Sequence, residues 1–196
     1  MSYVFSDKTG TLTKNVMSFK KFSCGQYSYG DSIHSLLDID AINSSMRKVK
    51  NFDFYDPLLQ DHLDDPSHEN WQQLHDYIIA LALCHTVLTK APENPGDPLS
   101  YSASSPDEEA LVIAAREFGI TYEGKSEDGV ITLTDRTQIV RQTLKYKLLH
   151  VLEFDSVRKR MSVIVKDLNE GPSKGQIKLI CKGADNVITE RLNPMH

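Results

Sequence analysis

Apolar residues along this chain follow two periods, and the strongest helical period begins at residue 71. Apolar side chains then recur every three or four positions, which is the spacing of one helix face. The members of this stripe are Trp71, Leu74, Tyr77, Ile78, Leu81, Ala82 and His85. We therefore predict a helix from Trp71 to about Leu88. A lone histidine in such a stripe is more often a hydrogen-bonded core residue than a ligand, and we interpret His85 in that way.

A second helix has recognisable start and stop signals. Ser105, Pro106 and Glu108 have the types and spacing of an N-cap, a first helical residue and the third residue of a capping box. Apolar residues continue to Phe118, and glycine, here Gly119, often follows a helix end. The prediction is a helix from Pro106 that stops at Gly119, with a capping role for Glu108.

Downstream of this helix, short apolar stretches separated by turn residues predict strands. The predicted strands cover residues 120–122, 130–133, 144–154, 161–165 and 177–182, and a short helix follows from about 185 to 192. Helices interspersed with hairpin-linked strands indicate an α+β fold, in which an antiparallel β-sheet is flanked by helices.

The first third of the chain is less regular. Aromatic residues around Cys24 predict a hairpin that closes at Gly30 and Asp31. Residues 32–70 are rich in Asp, Ser and Asn, and we interpret them as a variable, partly mobile insertion. Short helical pieces within it are predicted at residues 36–46 and from Asp56–Pro57 onward.

Composition narrows the classes of function. The 196 residues are 40% hydrophobic and 25% charged, which is ordinary for a globular protein. A formal net charge of −5 argues against a nucleic-acid partner, because phosphate backbones require a basic face. The three cysteines are widely spaced, which favours reduced cytosolic thiols. No apolar run approaches the roughly 20 residues needed to cross a bilayer, so we expect the chain as given to be soluble.

The most informative motif is the segment from Ser6 to Thr13, which directly follows an apolar run. An apolar run that ends in an aspartate and a small-residue turn predicts a buried strand that presents Asp7 to a crevice. A carboxylate there can attack the γ-phosphorus of ATP and form an acyl phosphate. Lys8 and Thr11 would offset charge on the phosphoryl oxygens. For the shorter motif Asp-Lys-Thr-Gly alone, a strand followed by a polar turn is the more common explanation.

Three further motifs are candidates for a nucleotide pocket, and each also has a structural explanation. Phe154 precedes a basic run, so it could stack on adenine or belong to the core beside a basic turn. Lys182 is followed by Gly183, which permits a ligand to approach closely, but solvated lysines at strand ends are equally common. Glu108 could accept a hydrogen bond from the adenine amino group or cap its own helix.

Taken together, these motifs resemble one family. Asp-Lys-Thr-Gly-Thr-Leu-Thr at residues 7–13 resembles the phosphorylation signature of P-type ATPases. Segments 105–112, 158–163 and 182–185 resemble, in sequence and in their order along the chain, motifs of the branch that translocates phospholipids. Thr9 stands where related aspartate-dependent phosphatases carry a second aspartate as acid/base, so slow hydrolysis of a phosphoenzyme is expected, as a pump requires.

The resemblance implies a division of the chain and a role for each motif. Residues 1–20 would open the phosphorylation domain, and residues 21–196 would form the nucleotide-binding domain with 32–70 as its insertion. The catalytic site would contain the phosphorylated residue Asp7 together with Lys8, Thr9 and Thr11, and Asp7 and Thr9 would contact Mg²⁺. The residues implied to bind ATP are Glu108, Phe154, Ser156, Lys159, Met161, Lys182 and Gly183.

Among these residues, the resemblance gives Glu108 to the adenine amino group and Phe154 to stacking. Lys182 would contact the nucleotide at the back of the pocket, and Lys159 would lie toward the phosphates. Met161 would line the same wall, and Ser156 has the weakest assignment.

The resemblance also implies a parent protein at the cytosolic face of a membrane, namely a phospholipid-translocating ATPase with an accessory subunit. Membrane helices, an actuator domain and the later phosphorylation motifs are absent, and the family's nucleotide domain continues beyond the position of His196. We therefore expect a C-terminally truncated fragment that binds ATP without turnover. The alternatives are a regulatory interaction module, docking through the acidic segment 38–65 with a vestigial pocket, and a free-standing phosphatase, which Thr9 disfavours.

Overall fold

A computed structural model describes residues 5–7, 11–14, 16–30, 49–92, 99–138 and 140–193. Its strands, in chain order, are β1 (Phe22–Cys24), β2 (Tyr27–Tyr29), β3 (Leu88–Lys90), β4 (Ser100–Ser102), β5 (Ile120–Lys125), β6 (Val130–Asp135), β7 (Gln142–Asp155), β8 (Arg160–Asp167) and β9 (Ile177–Gly183). The main sheet contains β5 to β9 in that order, and every neighbouring pair is antiparallel. All five strands predicted downstream of residue 119 form this sheet.

The helices are α1 (Pro57–Asp64), α2 (Trp71–Leu83), α3 (Pro106–Glu117) and α4 (Asp185–Thr189). Helices α2 and α3 pack against each other, and both contact β5. Their apolar faces and the inward residues of the sheet form one core, whose fully buried members include Leu74, Ile78, Val112, Leu133 and Val163. The predicted α+β architecture, an antiparallel sheet flanked by helices, is confirmed.

Helix α2 is shorter than predicted, and the reason lies in its last apolar residues. The helix ends at Leu83, and the chain then turns before β3 begins at Leu88. His85 is buried and hydrogen-bonded, as predicted, but it lies in this turn rather than on the helix. Strands β3 and β4 pair as a small antiparallel hairpin, which three-residue strands on either side of a long loop did not reveal in the sequence.

The capping box predicted for α3 does not form. Helix α3 does begin at Pro106 and end at Glu117, and Gly119 has the positive φ of +105° that favours glycine after a helix. However, Ser105 makes no side-chain cap hydrogen bond. The carboxylate of Glu108 bonds instead to residues distant in sequence, so capping does not explain it.

Aromatic residues connect the first described segments to the rest of the domain. Phe19 pairs with Phe52 in a parallel bridge, and its ring lies 5.5 Å from that of Phe118, the residue that follows α3. Phe22 on β1 stacks on Tyr77 of α2 at 5.0 Å. The start of the described domain is therefore held to both long helices by ring contacts.

The hairpin and helix predicted before residue 70 are both present in the described part. The β1–β2 hairpin turns at Gly25–Gln26 rather than at Gly30 and Asp31, the second of which lies outside the described residues. Helix α1 begins after Asp56, whose carboxylate accepts the amide of Leu58. The helical piece predicted at 36–46 lies outside the described residues.

Two further expectations concern thiols and membranes. Cys24, Cys84 and Cys181 are free, so none of them forms a disulfide. Within the described ranges, no helix has both the length and the apolar character needed to span a bilayer.

Candidate functional site

The residues of the N-terminal motif are only partly described. Asp7 and Thr11 are exposed, and the side chain of Ser6 donates to the carbonyl oxygen of Asp7 at 3.2 Å. Lys8 and Thr9 lie outside the described residues, so the catalytic roles and the Mg²⁺ contacts of Asp7 and Thr9 stay predictions. In the part of the chain that the structure covers, no group of three or more His, Cys, Asp or Glu could hold a metal ion.

Three of the predicted ATP-binding residues lie side by side at one end of the main sheet. On β8 and β9, Met161 and Lys182 are direct Cα partners. On β7, the register shifts after Leu152, so residues 153–154 together oppose Met161 in a bulge. Because neighbouring strands lie about 4.8 Å apart, the backbones at Phe154 and Lys182 are separated by about 10 Å.

Phe154 and Met161 differ sharply in exposure. The side chain of Phe154 is 64% exposed, whereas Met161 is only 3% exposed. The alternative that Phe154 belongs to the core is therefore wrong, because most of its side chain is open to solvent. Met161 lies on β8, between β7 and β9, and its side chain belongs to the hydrophobic core.

A hydrogen-bonded ion pair connects the start of α3 to β9. Nζ of Lys182 donates to Oε1 of Glu108 at 3.0 Å. The other oxygen of this carboxylate, Oε2, accepts two hydrogen bonds from Thr86, one from its hydroxyl at 2.7 Å and one from its amide at 3.1 Å. Thus Glu108 and Lys182, which are 74 positions apart in sequence, belong to the same site, and the solvent-facing Thr86 joins them.

The partners of Glu108 keep it ionised. Burial alone would raise its pKa, but the hydrogen bonds from Thr86 and Lys182 and the charge of Lys182 outweigh burial and lower the pKa below its ordinary value. Glu108 is therefore a carboxylate at neutral pH and acts only as an acceptor.

The turn between α2 and β3 holds Thr86 in place through His85. Nε2 of His85 donates to the carbonyl oxygen of Ala82 at 2.9 Å, and Nδ1 accepts the amide of Val87 at 3.0 Å. Because one ring nitrogen donates and the other accepts, the ring is neutral, and burial lowers the His85 pKa to about 4. The ring of Tyr122 packs edge-on against His85 at 4.5 Å.

The thiol of Cys84 lies in the same turn, next to β9. Its Sγ is 3.7 Å from the carbonyl oxygen of Ile180, and burial raises the pKa of this thiol to about 11. The group is therefore a protonated thiol that contributes packing beneath the Glu108–Lys182 pair.

The β7–β8 turn carries the predicted residues Ser156 and Lys159, both of them exposed. Asp155 orders the turn, because its Oδ1 accepts the amides of Val157 at 2.9 Å and Arg158 at 2.7 Å. Lys159 has a positive φ of 50°, a conformation that costs a non-glycine residue about 1–2 kcal/mol. The turn therefore presents a cation at the end of the sheet where Phe154 and Lys182 lie.

Close packing explains why residue 183 is a glycine, and the sequence did not reveal this reason. A Cβ at this position would lie 2.5 Å from the Cβ of Arg160 and 2.6 Å from the carbonyl oxygen of Lys159. The same carbonyl accepts the amide of Ala184 at 3.0 Å. The β7–β8 turn therefore occupies the space beside Gly183 in which we expected a ligand to lie. A nucleotide contact at Gly183 stays a prediction.

The chemistry of this end of the sheet fits an adenine nucleotide. It combines an exposed aromatic ring at Phe154, a carboxylate acceptor at Glu108 and ammonium groups at Lys182 and Lys159. The sequence analysis missed Thr86, since an exposed threonine in a turn carries no local signal. Only the hydrogen bonds to Glu108 identify it.

Comparison with known proteins identifies the kind of domain to which this end of the sheet belongs. The family profile described as "P-type ATPase, cytoplasmic domain N" matches residues 73–195, which include all the residues of this end of the sheet. Over 99% of the chain, the sequence is 40% identical to Phospholipid-transporting ATPase IC of Xenopus tropicalis and 38% identical to Probable phospholipid-transporting ATPase IM of Homo sapiens. Over 98% of the chain, it is 39% identical to Phospholipid-transporting ATPase DRS2 of Saccharomyces cerevisiae.

The match covers nearly all of this chain but a small part of each relative. The chain spans 15%, 16% and 13% of the length of these three proteins, respectively. The family profile covers more than half of the chain, and the relatives extend the similarity to its N-terminal motif. The chain therefore belongs to the P-type ATPases, and within them to the phospholipid-transporting branch.

Proposed function

We propose that this chain binds ATP at the end of the main sheet and serves as the nucleotide-binding part of a phospholipid-translocating ATPase. One observation carries the proposal: Glu108 and Lys182 meet at 3.0 Å beside the buried Met161, while the exposed Phe154 lies on the strand across from it. These groups come from three distant parts of the sequence, and no core-packing reason requires an exposed ring there.

Each group has a role that follows from its chemistry. The adenine ring stacks on Phe154, a contact worth about 1–3 kcal/mol by analogy with bases on aromatic side chains. Glu108 accepts a hydrogen bond from the adenine amino group, since an ionised carboxylate is an acceptor only. Lys182 contacts the nucleotide at the back of the site, and Lys159, exposed on its turn, attracts the phosphates. Ser156 and Gly183 complete the proposed nucleotide site.

Nζ of Lys182 lies 3.0 Å from Oε1 of Glu108, so the two side chains already form an ion pair. When ATP binds, Lys182 and Glu108 also form charge-assisted hydrogen bonds with the nucleotide. The ion pair between the two side chains is weakened in exchange. The net affinity is therefore modest, and we expect a Kd on the order of 0.1–1 mM, or about −4 to −5.5 kcal/mol.

The proposal extends to the longer protein to which such a domain belongs. There, Asp7 receives the γ-phosphate as an aspartyl phosphate, with Lys8, Thr9 and Thr11 around it and Mg²⁺ at Asp7 and Thr9. Residues 1–20 form the opening of the phosphorylation domain. Phosphorylation drives phospholipid translocation from the cytosolic face of a membrane, with an accessory subunit. The chain as given binds ATP without turnover.

The test is a titration of this chain with ATP, followed by calorimetry and by chemical-shift mapping. Phe154→Ala should weaken binding at least tenfold because it removes the stacking surface. Val157→Ala is the matched control, since Val157 is an apolar residue of the adjacent turn that is 89% exposed, and it should leave the Kd unchanged. Shift changes should centre on Phe154, Glu108 and Lys182.

Two outcomes would reject the proposal. An unchanged Kd in the Phe154→Ala variant would remove the stacking role. No calorimetric or spectral response at saturating ATP would favour the alternative, a regulatory interaction module with a vestigial pocket.

A further inference from the structure

We infer that Thr86 is a positioning residue that sets the base specificity of this site by fixing the orientation of the Glu108 carboxylate. The inference rests on the proposed ATP site. It concerns which purine the site accepts, and it starts from the distribution of hydrogen bonds over the two oxygens of Glu108.

The two carboxylate oxygens of Glu108 have different remaining capacity. Each oxygen of an ionised carboxylate can accept about two hydrogen bonds. Oε2 already accepts the hydroxyl and the amide of Thr86, at 2.7 and 3.1 Å, so its capacity is filled. Oε1 accepts only Nζ of Lys182 among the described contacts, and therefore keeps one lone pair for a ligand.

This arrangement makes Oε1 the acceptor for the base. Thr86 holds Oε2 from two directions, which prevents the carboxylate from rotating and keeps Oε1 on the side of Lys182. A purine with an exocyclic amino group at C6 can donate to the free lone pair of Oε1. A purine with a carbonyl oxygen at C6 instead places an acceptor against an acceptor, which costs affinity because neither group is then paired.

The turn that carries Thr86 is itself well ordered. The neutral ring of His85 joins the carbonyl of Ala82 to the amide of Val87, which are the residues on either side of Leu83–Thr86. The amide of Thr86 is thereby left free to point at Glu108 rather than to continue the helix. Because Thr86 itself is exposed, its side chain can be changed without disturbing the core.

The experiment compares ATP with inosine triphosphate, which differs by a carbonyl in place of the amino group at C6. In the unmodified chain, ATP should bind more tightly than inosine triphosphate. Thr86→Val, which keeps the shape and the amide but removes the hydroxyl, should weaken ATP binding about tenfold, the lower end of what one hydrogen bond to a charged group contributes. It should leave the affinity for inosine triphosphate unchanged. Thr86→Ser, which retains the hydroxyl, should restore the preference.

Several results would overturn the inference. An equal loss of affinity for both nucleotides in Thr86→Val would indicate a purely structural effect, and no loss for either would remove the role altogether. Equal affinity of the unmodified chain for the two nucleotides would show that Glu108 does not read the amino group, while ATP binding itself would stand. Failure of the proposed function is separate, because it would appear as no ATP binding or as no effect of Phe154→Ala.

Discussion

At the scale of single residues, Glu108 shows how one side chain can satisfy two patterns that the sequence cannot distinguish. Its position as the third residue of α3 fits a capping box, yet its carboxylate bonds to Thr86 and Lys182 instead. A single hydrogen bond to the helix start competes with three hydrogen bonds from Thr86 and Lys182, one of them from a cation, and the three together are the stronger set. The residue therefore contributes to the link between α3 and the sheet.

Replacing Glu108 by glutamine should lower the free energy of unfolding by about 1–3 kcal/mol, because the hydrogen bonds to a charged acceptor are weakened and Lys182 loses its ion partner. The contribution of Glu108 exists above the ordinary glutamate pKa, since its pKa is lowered in the fold, and is lost as the pH falls through that lowered pKa. The difference between the two proteins in urea unfolding should therefore shrink below the ordinary pKa. Glu109→Gln is the control, because the only ion partner of Glu109 among the described residues is the exposed Lys50, and it should change stability by less than about 1 kcal/mol.

At the scale of elements, the long segments were predictable and the short ones were not. Strands β5 to β9 follow from apolar stretches between turn residues, and α3 follows from Pro106 and Gly119. The end of α2 was predicted too late, because apolar periodicity continues through His85 while the ring of His85 bonds to Ala82 and closes the helix. Strands β3 and β4 have three residues each and depend on pairing with one another, which no local pattern encodes.

The candidate site was predictable to a similar extent. Its residues were named from motifs, but the Glu108–Lys182 pair, the part played by Thr86 and the packing at Gly183 depend on contacts between segments far apart in the chain. The sequence specifies the types of the residues, whereas the sheet register specifies which of them meet.

The turn between α2 and β3 should make stability depend on pH through His85. The pKa of His85 is lowered to about 4 in the fold, so the unfolded chain binds the proton more readily. The stabilising contribution is complete above the unfolded pKa of about 6.5 and is lost as the pH falls toward 4. Between pH 7 and pH 5, we expect the free energy of unfolding to fall by about 2 kcal/mol from this group.

The measurement is urea unfolding at pH 7 and pH 5 for the unmodified chain, for His85→Asn and for the exposed-site control His150→Gln. The decrease should be smaller by about 2 kcal/mol in His85→Asn only. A histidine ring signal that titrates near pH 6.5 for His85 in the folded protein would contradict the prediction, even if His85→Asn proved too unstable to measure.

At the scale of the whole molecule, the aromatic cluster and the sheet join segments that lie far apart in the chain. Phe19 contacts Phe118 at the far end of α3, while Glu108 at the start of the same helix reaches β9. Helix α3 therefore lies between the segment that follows residues 6–13 and the candidate nucleotide site. The outer strand of this assembly, β9, has β8 as its only neighbour among the described strands.

Strand β9 should make the isolated chain associate with itself at high concentration. Ile177 and Leu179 are 66% and 64% exposed on this strand, and an apolar edge strand is a template for pairing with another chain. Leu179→Lys should shift the chain toward the monomer in sedimentation velocity at high protein concentration, without loss of ATP binding. Leu192→Lys is the control, since Leu192 is 60% exposed outside the sheet. Identical sedimentation of all three proteins would contradict the prediction.

The position of Lys182 on this outer strand has a mechanical meaning. In the proposed site, the cation shared between Glu108 and the nucleotide lies on a strand that has a sheet neighbour on one side only among the described strands, so small shifts of its backbone need not deform the interior strands. An edge of the main sheet, rather than its interior, is thus the place where the proposed ligand would be accommodated.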